Sequence, residues 1–270
     1  MTKIDYHTHH DRCGHATGSL REYIESAIEQ GLDQIGLADH LPLIHIPAER
    51  MPEGTAMDIS LYDGYVSEAL DLKKAYERDI DVRVGVEGYF VTGWEKELAE
   101  LINPYPFDFV IGSIHNIGEW DISDSRQRYL WEGRDVNQVY RDYYGEVKAS
   151  AESGLFDFVG HFDVIKKHGL PPTEDLWSDI EAALMAVKRA DMAMELNVSG
   201  IDKAGGEMYP AESIVRRALE LGIPFTLSSD AHQPEHVYRF VSDGREFLKQ
   251  LGLTEVATFK NRQRIMLPIK

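Results

Sequence analysis

Short apolar and β-branched runs alternate with amphipathic stretches along the whole chain. Each run ends in a polar residue, and most are followed by apolar residues at helical spacing. Seven runs predict β-strands: 3–9 (KIDYHTH), 34–40 (QIGLADH), 82–88 (VRVGVEG), 109–115 (FVIGSIH), 156–163 (FDFVGHFD), 193–199 (AMELNVS) and 224–232 (PFTLSSDAH). Five stretches predict helices: 19–32, 65–77, 139–153, 177–190 and 211–222. Strands that alternate with helices indicate βαβ units and a parallel sheet.

The chain carries no linker, low-complexity tract or fixed-period repeat that would divide it. Its 270 residues suit a single α/β barrel, and we therefore predict one domain over residues 1–270. In the first predicted helix, Ser19 is a suitable N-cap and Gly31 a suitable residue just past the last turn.

Side chains that can bind metal ions collect at the ends of the predicted strands, where parallel α/β proteins build their sites. The first strand ends in a His-x-His pair and the last in an Asp-x-His pair. Residues two apart in a strand point to the same face, so each pair offers two ligands together. The candidates at strand ends are His7, His9, His40, Glu87, His115, His161, Asp230 and His232. His10 alternates to the opposite face and is not expected to be a ligand.

The spread of these candidates favours a closed sheet over an open one. Neighbouring strands lie about 4.8 Å apart, so seven strands in a flat sheet would span roughly 29 Å. Metal ions in a cluster lie only about 4 Å apart, so ligands on the outer strands of a flat sheet could not share one cluster. We therefore predict a distorted (β/α)7 TIM-like barrel, an α/β fold.

Composition limits the partners and the location. The formal net charge is −18, from 28 basic and 46 acidic residues, and no basic run is present. This balance disfavours nucleic acid as a partner. The first residues contain no apolar segment typical of a signal peptide, and no apolar run approaches about 18 residues. The single cysteine, Cys13, cannot form an internal disulfide. We expect a cytoplasmic protein, without a membrane partner, as a monomer or homodimer.

Seven stretches resemble a known family: DYHTHHDRCGHATG, IGLADH, VGVEGYF, FVIGSIHNIG, VGHFDVIKK, ELNVSG and LSSDAHQPEHVY. Together, in this order, they resemble the polymerase-and-histidinol-phosphatase (PHP) superfamily, and within it the monofunctional histidinol-phosphatase branch. The resemblance covers essentially the whole chain and implies a distorted seven-stranded barrel with three metal ions. It implies that one ion is bound by His7, His9, Glu87 and Asp230, a second by His15, His40 and His232, and a third by His115 and His161 with Glu87 bridging.

The donor set itself limits the metals. Seven histidines and two carboxylates without cysteine suit Zn²⁺, Mn²⁺ or Fe²⁺ and argue against Ca²⁺ or a zinc finger. An ion with an open position needs about three protein ligands, so nine candidates indicate two or three divalent ions. Three such ions beside two ionised carboxylates leave a local charge of about +4, which would attract a phosphate dianion despite the acidic background.

The resemblance implies a phosphatase, most specifically one that hydrolyses L-histidinol phosphate in histidine biosynthesis. In the mechanism that we expect, a hydroxide held between two metals attacks phosphorus in line. The sequence identifies no general acid. Histidinol-phosphatases of this type generally bind phosphate with arginines near the fifth and sixth strands, whereas this chain has lysines there, which act as point charges. The substrate-binding candidates are Lys166, Lys167, Lys203, Arg126 and Arg128.

Other functions remain open at this point. A PHP-family phosphoesterase could act on another small phosphate or on a nucleotide, and the missing arginines favour this alternative slightly. A non-catalytic metal-binding PHP module would be expected to have lost ligands, yet all nine are present. A metallo-amidohydrolase is disfavoured because Glu87 stands where such enzymes generally carry a carboxylated lysine.

Overall fold

Seven parallel strands form the sheet at the centre of the protein, and each pairs with the next one along the chain. The structure is a computed structural model that describes residues 2–269. The strands of this sheet are β1 (Ile4–Asp5), β2 (Gln34–Leu37), β3 (Asp81–Tyr89), β4 (Phe109–Ser113), β7 (Phe158–Val159), β8 (Ala193–Asn197) and β9 (Phe225–Ser228). All seven predicted strands are confirmed, although most end earlier than the apolar runs suggested.

The first and last strands meet, so the sheet is nearly closed into a barrel. The backbone N–H of Tyr6 donates to the carbonyl of Leu227 at 3.1 Å, and Thr8 forms a parallel bridge with Ala231. His9 adds a hydrogen bond from its N–H to the carbonyl of Ala231 at 2.8 Å. This seam confirms the predicted single-domain barrel and brings the His-x-His pair beside the Asp-x-His pair.

Seven helices accompany the sheet among the described residues: α1 (Leu20–Glu29), α2 (Ile59–Ala75), α3 (Glu95–Ile102), α4 (Val136–Glu152), α5 (Trp177–Arg189), α6 (Glu212–Glu220) and α7 (Val241–Gln250). The five predicted helices are confirmed. Ser19 caps α1 in a reciprocal capping box with Glu22, and Gly31 follows the helix at φ +69°, as predicted. The helices α3 and α7 were not predicted. No helix of residues 2–269 is long and apolar enough to cross a membrane.

Two antiparallel hairpins lie outside the central sheet. The first pairs β5 (Asn116–Ile117) with β6 (Trp120–Asp121) just after β4, and the second pairs β10 (Glu255–Lys260) with β11 (Gln263–Pro268). The second hairpin packs against the barrel, where the ring of Phe259 stacks on that of Phe158. The backbone N–H of Phe259 donates to the hydroxyl of Tyr6 at 3.0 Å.

Aromatic rings fill the amino-terminal part of the barrel. Tyr6 and Phe109 lie 5.1 Å apart between ring centroids, and the Phe109 ring lies over two glycines. A Cβ atom at Gly36 or Gly85 would come within 2.9 or 2.6 Å of that ring, so both strands need glycine there. With this end filled by apolar groups, the polar side chains gather at the carboxyl ends of the strands.

Candidate metal centre

All nine predicted ligands come together at the carboxyl-terminal mouth of the barrel. Glu87 lies within β3, and the others follow the ends of their strands by a few residues or lie on the loop after β1. The segment His7–Thr8–His9 lies beyond the last residue of β1, but the seam with Ala231 keeps it extended. The spacing rule therefore holds without a regular strand, and both imidazoles face inward.

Glu87 is the centre of the cluster and is fully buried. Its Oε1 lies 3.0 Å from Nε2 of both His115 and His161. Its Oε2 lies 2.6 Å from Nδ1 of His40 and 3.3 Å from Nε2 of His7. Within 3.3 Å the carboxylate thus faces four imidazoles, two at each oxygen, an arrangement suited to a ligand shared between ions.

Asp230 is the second carboxylate of the cluster and lies near the imidazoles of His7 and His9. Its Oδ1 lies 3.1 Å from Nε2 of His9 and 3.9 Å from Nε2 of His7. Its Oδ2 accepts hydrogen bonds from Asn197 at 3.2 Å and from Ser199 at 3.1 Å. The backbone of Asp230 is left-handed, at φ +54°, a conformation in which aspartate is tolerated better than most residues.

The remaining candidates extend the cluster outward. Nε2 of His232 lies 3.1 Å from Nε2 of His15, and the two rings lie beside that of His40. Three groups of ligand atoms lie close enough to hold an ion: His7, His9 and Asp230; His9, His40 and His232; and His40, Glu87 and His115. These groups share His9 and His40, whereas the three ligand sets that the family resemblance implies share only Glu87.

The residues fit a group of divalent ions. Several buried atoms that face the centre make no aligned hydrogen bond, among them Nε2 of His7 and His9, Nδ1 of His40 and Oε2 of Glu87. A buried polar atom without a partner costs about 1–3 kcal/mol, and native proteins rarely leave several together. Convergent imidazole and carboxylate lone pairs match the preferences of Zn²⁺, Mn²⁺ and Fe²⁺.

Partners behind several imidazoles fix which ring nitrogen faces the centre. Nδ1 of His115 lies 3.0 Å from the hydroxyl of Ser123, and Nδ1 of His232 lies 2.9 Å from the carbonyl of Asp230. Behind His7, the carboxylate of Glu195 lies 3.0 Å from Nδ1. Such partners orient the rings of metal-binding histidines and raise their basicity. No motif in the sequence singles out Glu195.

The electrostatics of the cluster favour ionised carboxylates. Burial opposes ionisation of Glu87, but the imidazoles around it lower the pKa of its carboxyl well below the ordinary value. The same balance of burial and nearby histidines lowers the pKa of Asp230. Burial and the charge of His9 lower the pKa of His232 to about 3. Ionised carboxylates and a neutral imidazole are the forms that bind cations.

The centre opens into a cavity of about 830 Å³, which also receives some of the predicted substrate-binding cations. Lys167, Lys203 and Arg126 line it. The Arg126 guanidinium is held by Asp124 at 2.8 Å and donates to the carbonyl of Glu53 at 2.7 Å.

Two other predicted cations lie outside the cavity lining. The Lys166 ammonium donates to the carbonyl of Met208 at 2.8 Å and pairs with Asp163 at 3.0 Å. Arg128 is exposed in the loop before α4. Conversely, Arg239 lines the cavity, paired with Asp202 at 2.8 Å, and sequence reasoning missed it. No strand-end signal marks Arg239, because it lies in a turn between left-handed residues Tyr238 and Phe240.

Comparisons with known proteins agree with this geometry. A Deinococcus radiodurans protein named "Probable histidinol-phosphatase" is 36% identical over 267 residues, covering 96% of this chain and 97% of that protein. The histidinol-phosphatase of Bacillus subtilis is 27% identical over 254 residues, covering 86% of this chain and 94% of its own.

A solved structure shares the fold. The crystal structure of histidinol phosphate phosphatase from Lactococcus lactis, in complex with zinc, L-histidinol and phosphate, matches with a TM-score of 0.79 at 21% identity. The match covers 98% of this chain and 99% of that chain. The PHP domain family matches residues 5–199, which include seven of the nine candidate ligands. Because this match spans most of the barrel and the Deinococcus relative spans nearly the whole chain, the chain belongs to the PHP domain family.

Proposed function

We propose that this protein is a metal-dependent phosphomonoesterase that hydrolyses L-histidinol phosphate. The observation that carries the proposal is the continuous cluster of imidazoles around Glu87 and Asp230, which opens into a cavity lined by Lys167 and Lys203. Divalent ions bound there would supply Lewis acidity, charge neutralisation and an activated water for attack on phosphorus. The family relatives with histidinol-phosphatase names support the same reaction.

The chain's own cations are suited to hold the phosphate. No hydrogen bond or ion pair engages the ammonium of Lys167 or Lys203 within residues 2–269, although both line the cavity. Burial and the positive charge of Lys203 lower the pKa of Lys167. Two ammonium groups that line the same cavity as the candidate ligands would help to orient a dianion for in-line attack.

The rest of the cavity suits a leaving group that carries positive charge. Asp121, Asp124, Asp202 and Glu53 line the wall. L-Histidinol phosphate bears an ammonium and an imidazole, and carboxylates would stabilise both by charge-assisted hydrogen bonds. A nucleotide leaving group lacks this charge, so the lining favours histidinol phosphate over the nucleotide alternative. The Lactococcus relative, which shares the fold, binds zinc together with L-histidinol and phosphate, the two products of this reaction.

The proposal includes three divalent ions, of zinc, manganese or iron, held by the nine candidate ligands. The number rests on the nine donors, since an ion with an open position needs about three protein ligands. Seven of the nine lie in groups of three close donor atoms. A cytoplasmic location would suit a biosynthetic activity and a single, buried, free cysteine.

The test is phosphate release by protein reconstituted with Mn²⁺ or Zn²⁺, with L-histidinol phosphate compared with other phosphomonoesters and nucleotides. We expect kcat/KM above about 10⁴ M⁻¹s⁻¹ for histidinol phosphate and much lower values for the other substrates. Comparable, slow hydrolysis of all substrates would overturn the substrate assignment but keep the metal-dependent phosphatase.

Two histidine variants provide the control. His9→Gln removes a candidate ligand and should abolish activity. His45→Gln changes a histidine outside the cavity lining and should leave kcat/KM close to the wild-type value. Activity that survives His9→Gln and metal chelation would exclude the proposed centre.

A further inference from the structure

We propose that Arg12, His10 and Asp39 form a positioning chain, which fixes the ring of His9 from the surface of the protein inward. The inference rests on the metal centre proposed above and gives a role to the one histidine of the HTHH segment that is not a candidate ligand. Each member lies within hydrogen-bond or ion-pair distance of the next, and the chain ends behind an imidazole whose other nitrogen faces Asp230.

The outer end of the chain is held at the surface. Nη2 of Arg12 pairs with Oε2 of Glu68 on α2 at 2.5 Å, and the side chain of Arg12 is one-quarter exposed. Nη1 of the same guanidinium lies 3.0 Å from Nε2 of His10. Arg12 thus bridges the loop after β1 and a neighbouring helix, with one donor directed into the protein.

This contact determines the hydrogen position on His10. A guanidinium can only donate, so Nε2 of His10 must accept, and the ring hydrogen of the neutral imidazole then lies on Nδ1. Nδ1 contacts Oδ2 of Asp39, and both side chains are buried. His10 therefore links the guanidinium of Arg12 to the buried carboxylate of Asp39.

Asp39 connects His10 to two candidate ligands at once. Its Oδ1 accepts the backbone N–H of His40 at 2.9 Å and lies 3.6 Å from Nδ1 of His9. On the far side of the His9 ring, Nε2 lies 3.1 Å from Oδ1 of Asp230. At 3.6 Å the Asp39 carboxylate acts on His9 through its charge rather than through a hydrogen bond. A negative charge behind Nδ1 favours the tautomer that carries its hydrogen there, whose Nε2 lone pair faces the centre and can bind an ion.

A purely structural role would predict a different consequence. A buried carboxylate that only joined β2 to the loop after β1 would affect the stability of the protein with or without metal ions. A positioning chain instead affects how tightly the folded protein holds the ion at His9. The two roles are therefore separated by measuring metal affinity and metal-free stability on the same variants.

The experiment uses full-length, metal-depleted protein and follows Zn²⁺ binding by competition with a chromogenic chelator, without any substrate. Asp39→Asn should weaken the tightest affected site by roughly 10–100-fold, as is typical when a partner of a metal-binding histidine is lost. Arg12→Met keeps the apolar stem and removes one hydrogen bond, so we expect binding weaker by about fivefold. Arg12→Lys, which can still donate to His10, should recover much of this loss.

Arg216→Met is the matched control, because Arg216 is an exposed arginine that pairs with Glu212 as Arg12 pairs with Glu68. It should bind Zn²⁺ as the wild type does. Thermal unfolding of each metal-free variant supplies the second readout. Wild-type Zn²⁺ affinity in both Asp39→Asn and Arg12→Met, whether or not the metal-free midpoint falls, would overturn the positioning chain. Failure to hydrolyse histidinol phosphate would overturn only the proposed substrate, because this assay contains none.

Discussion

Oε2 of Glu195 lies 3.0 Å from Nδ1 of His7, and both side chains are completely buried. The carboxylate comes from β8, the strand that contributes no candidate ligand. Glu195 also accepts hydrogen bonds from the backbone of His161 and from the side chains of Asn197 and Ser228. One carboxylate therefore ties two candidate ligands, on different strands, to a third strand.

Replacing this carboxylate should loosen the centre. Glu195→Gln keeps the size of the side chain but loses the charge behind His7 and one of its acceptors. We expect divalent-ion affinity to fall by roughly 10–100-fold, with a parallel loss of activity at limiting metal. Chelator competition measures the first effect, and excess Mn²⁺ should partly restore the second. Glu212→Gln, on the exposed face of α6, should change neither.

Two adjacent lysines provide a test of phosphate binding. Lys167 lines the cavity without a partner, whereas the Lys166 ammonium is engaged by Asp163 and Met208 outside it. Lys167→Met should lower kcat/KM by roughly 10–100-fold, the worth of a charge-assisted hydrogen bond.

Lys166→Met should instead act on stability. It leaves Asp163 buried without its cation, so the midpoint of thermal unfolding should fall while kcat/KM of the folded enzyme changes little. Steady-state kinetics and thermal unfolding on both variants distinguish these outcomes. Equal activity losses in the two variants would contradict the placement of the phosphate beside Lys167.

Gly160 lies just before His161 where β7 and β4 approach each other closely. A Cβ at this position would overlap Oγ of Ser113 and lie 2.9 Å from Cγ2 of Ile111. Gly160→Ala should therefore displace the strand, cost about 1–3 kcal/mol of folding free energy and weaken the hold of His161 on Glu87.

At Gly145, replacement by alanine should raise the stability of the protein rather than lower it. It lies within α4, and a Cβ there would meet no atom within 4 Å. Gly145→Ala should stabilise the protein by about 0.5–1 kcal/mol and leave metal binding unchanged. Denaturant unfolding of both variants, with Zn²⁺ titration of the folded proteins, makes the comparison. A Gly160→Ala variant as stable as Gly145→Ala would refute the close approach of the strands.

The terminal hairpin should contribute stability without affecting catalysis. Arg262, at the turn between β10 and β11, contacts Asp157 and donates to the carbonyl of Leu155 at 2.7 Å. Arg262→Met should cost about 1–3 kcal/mol, because the nearly buried Asp157 loses its cation. The metal affinity of the folded variant should be that of the wild type. A drop in kcat at temperatures well below unfolding would contradict this separation.

The strands, five helices and the barrel were predictable because they depend on local features of the sequence. These features are the spacing of the apolar residues and the polar residues at the ends of the strands. The alternating pattern predicted the sheet, and the wide spread of the candidate ligands required its closure. The short hairpin after β4 and the helices α3 and α7 were missed, since α3 is a brief segment and α7 begins after the left-handed Phe240. Tertiary contacts, rather than a capping signal, define where α7 begins.

At the site, sequence identified which residue types converge but not which atoms face one another. Lys167 lines the cavity, whereas the neighbouring Lys166 bonds Asp163 and Met208 outside it. This difference depends on the helical turn after β7, in which adjacent side chains point in different directions. Asp39 and Glu195 carry no ligand spacing of their own, so their contacts behind His9 and His7 are visible only in three dimensions. Arg239 reaches the cavity through a turn that no periodic pattern describes.

The seam at Thr8 and Ala231 joins the beginning of the barrel to its last strand, and candidate ligands flank it on both sides. During synthesis, a ribosome-bound chain that has not yet produced Asp230 and His232 can collect the other imidazoles but cannot complete the first and second groups of ligands. The same holds for a chain clipped by a protease before β9. Ion binding by these two groups would thus distinguish an intact polypeptide from a truncated one, and their loading would follow translation rather than accompany it.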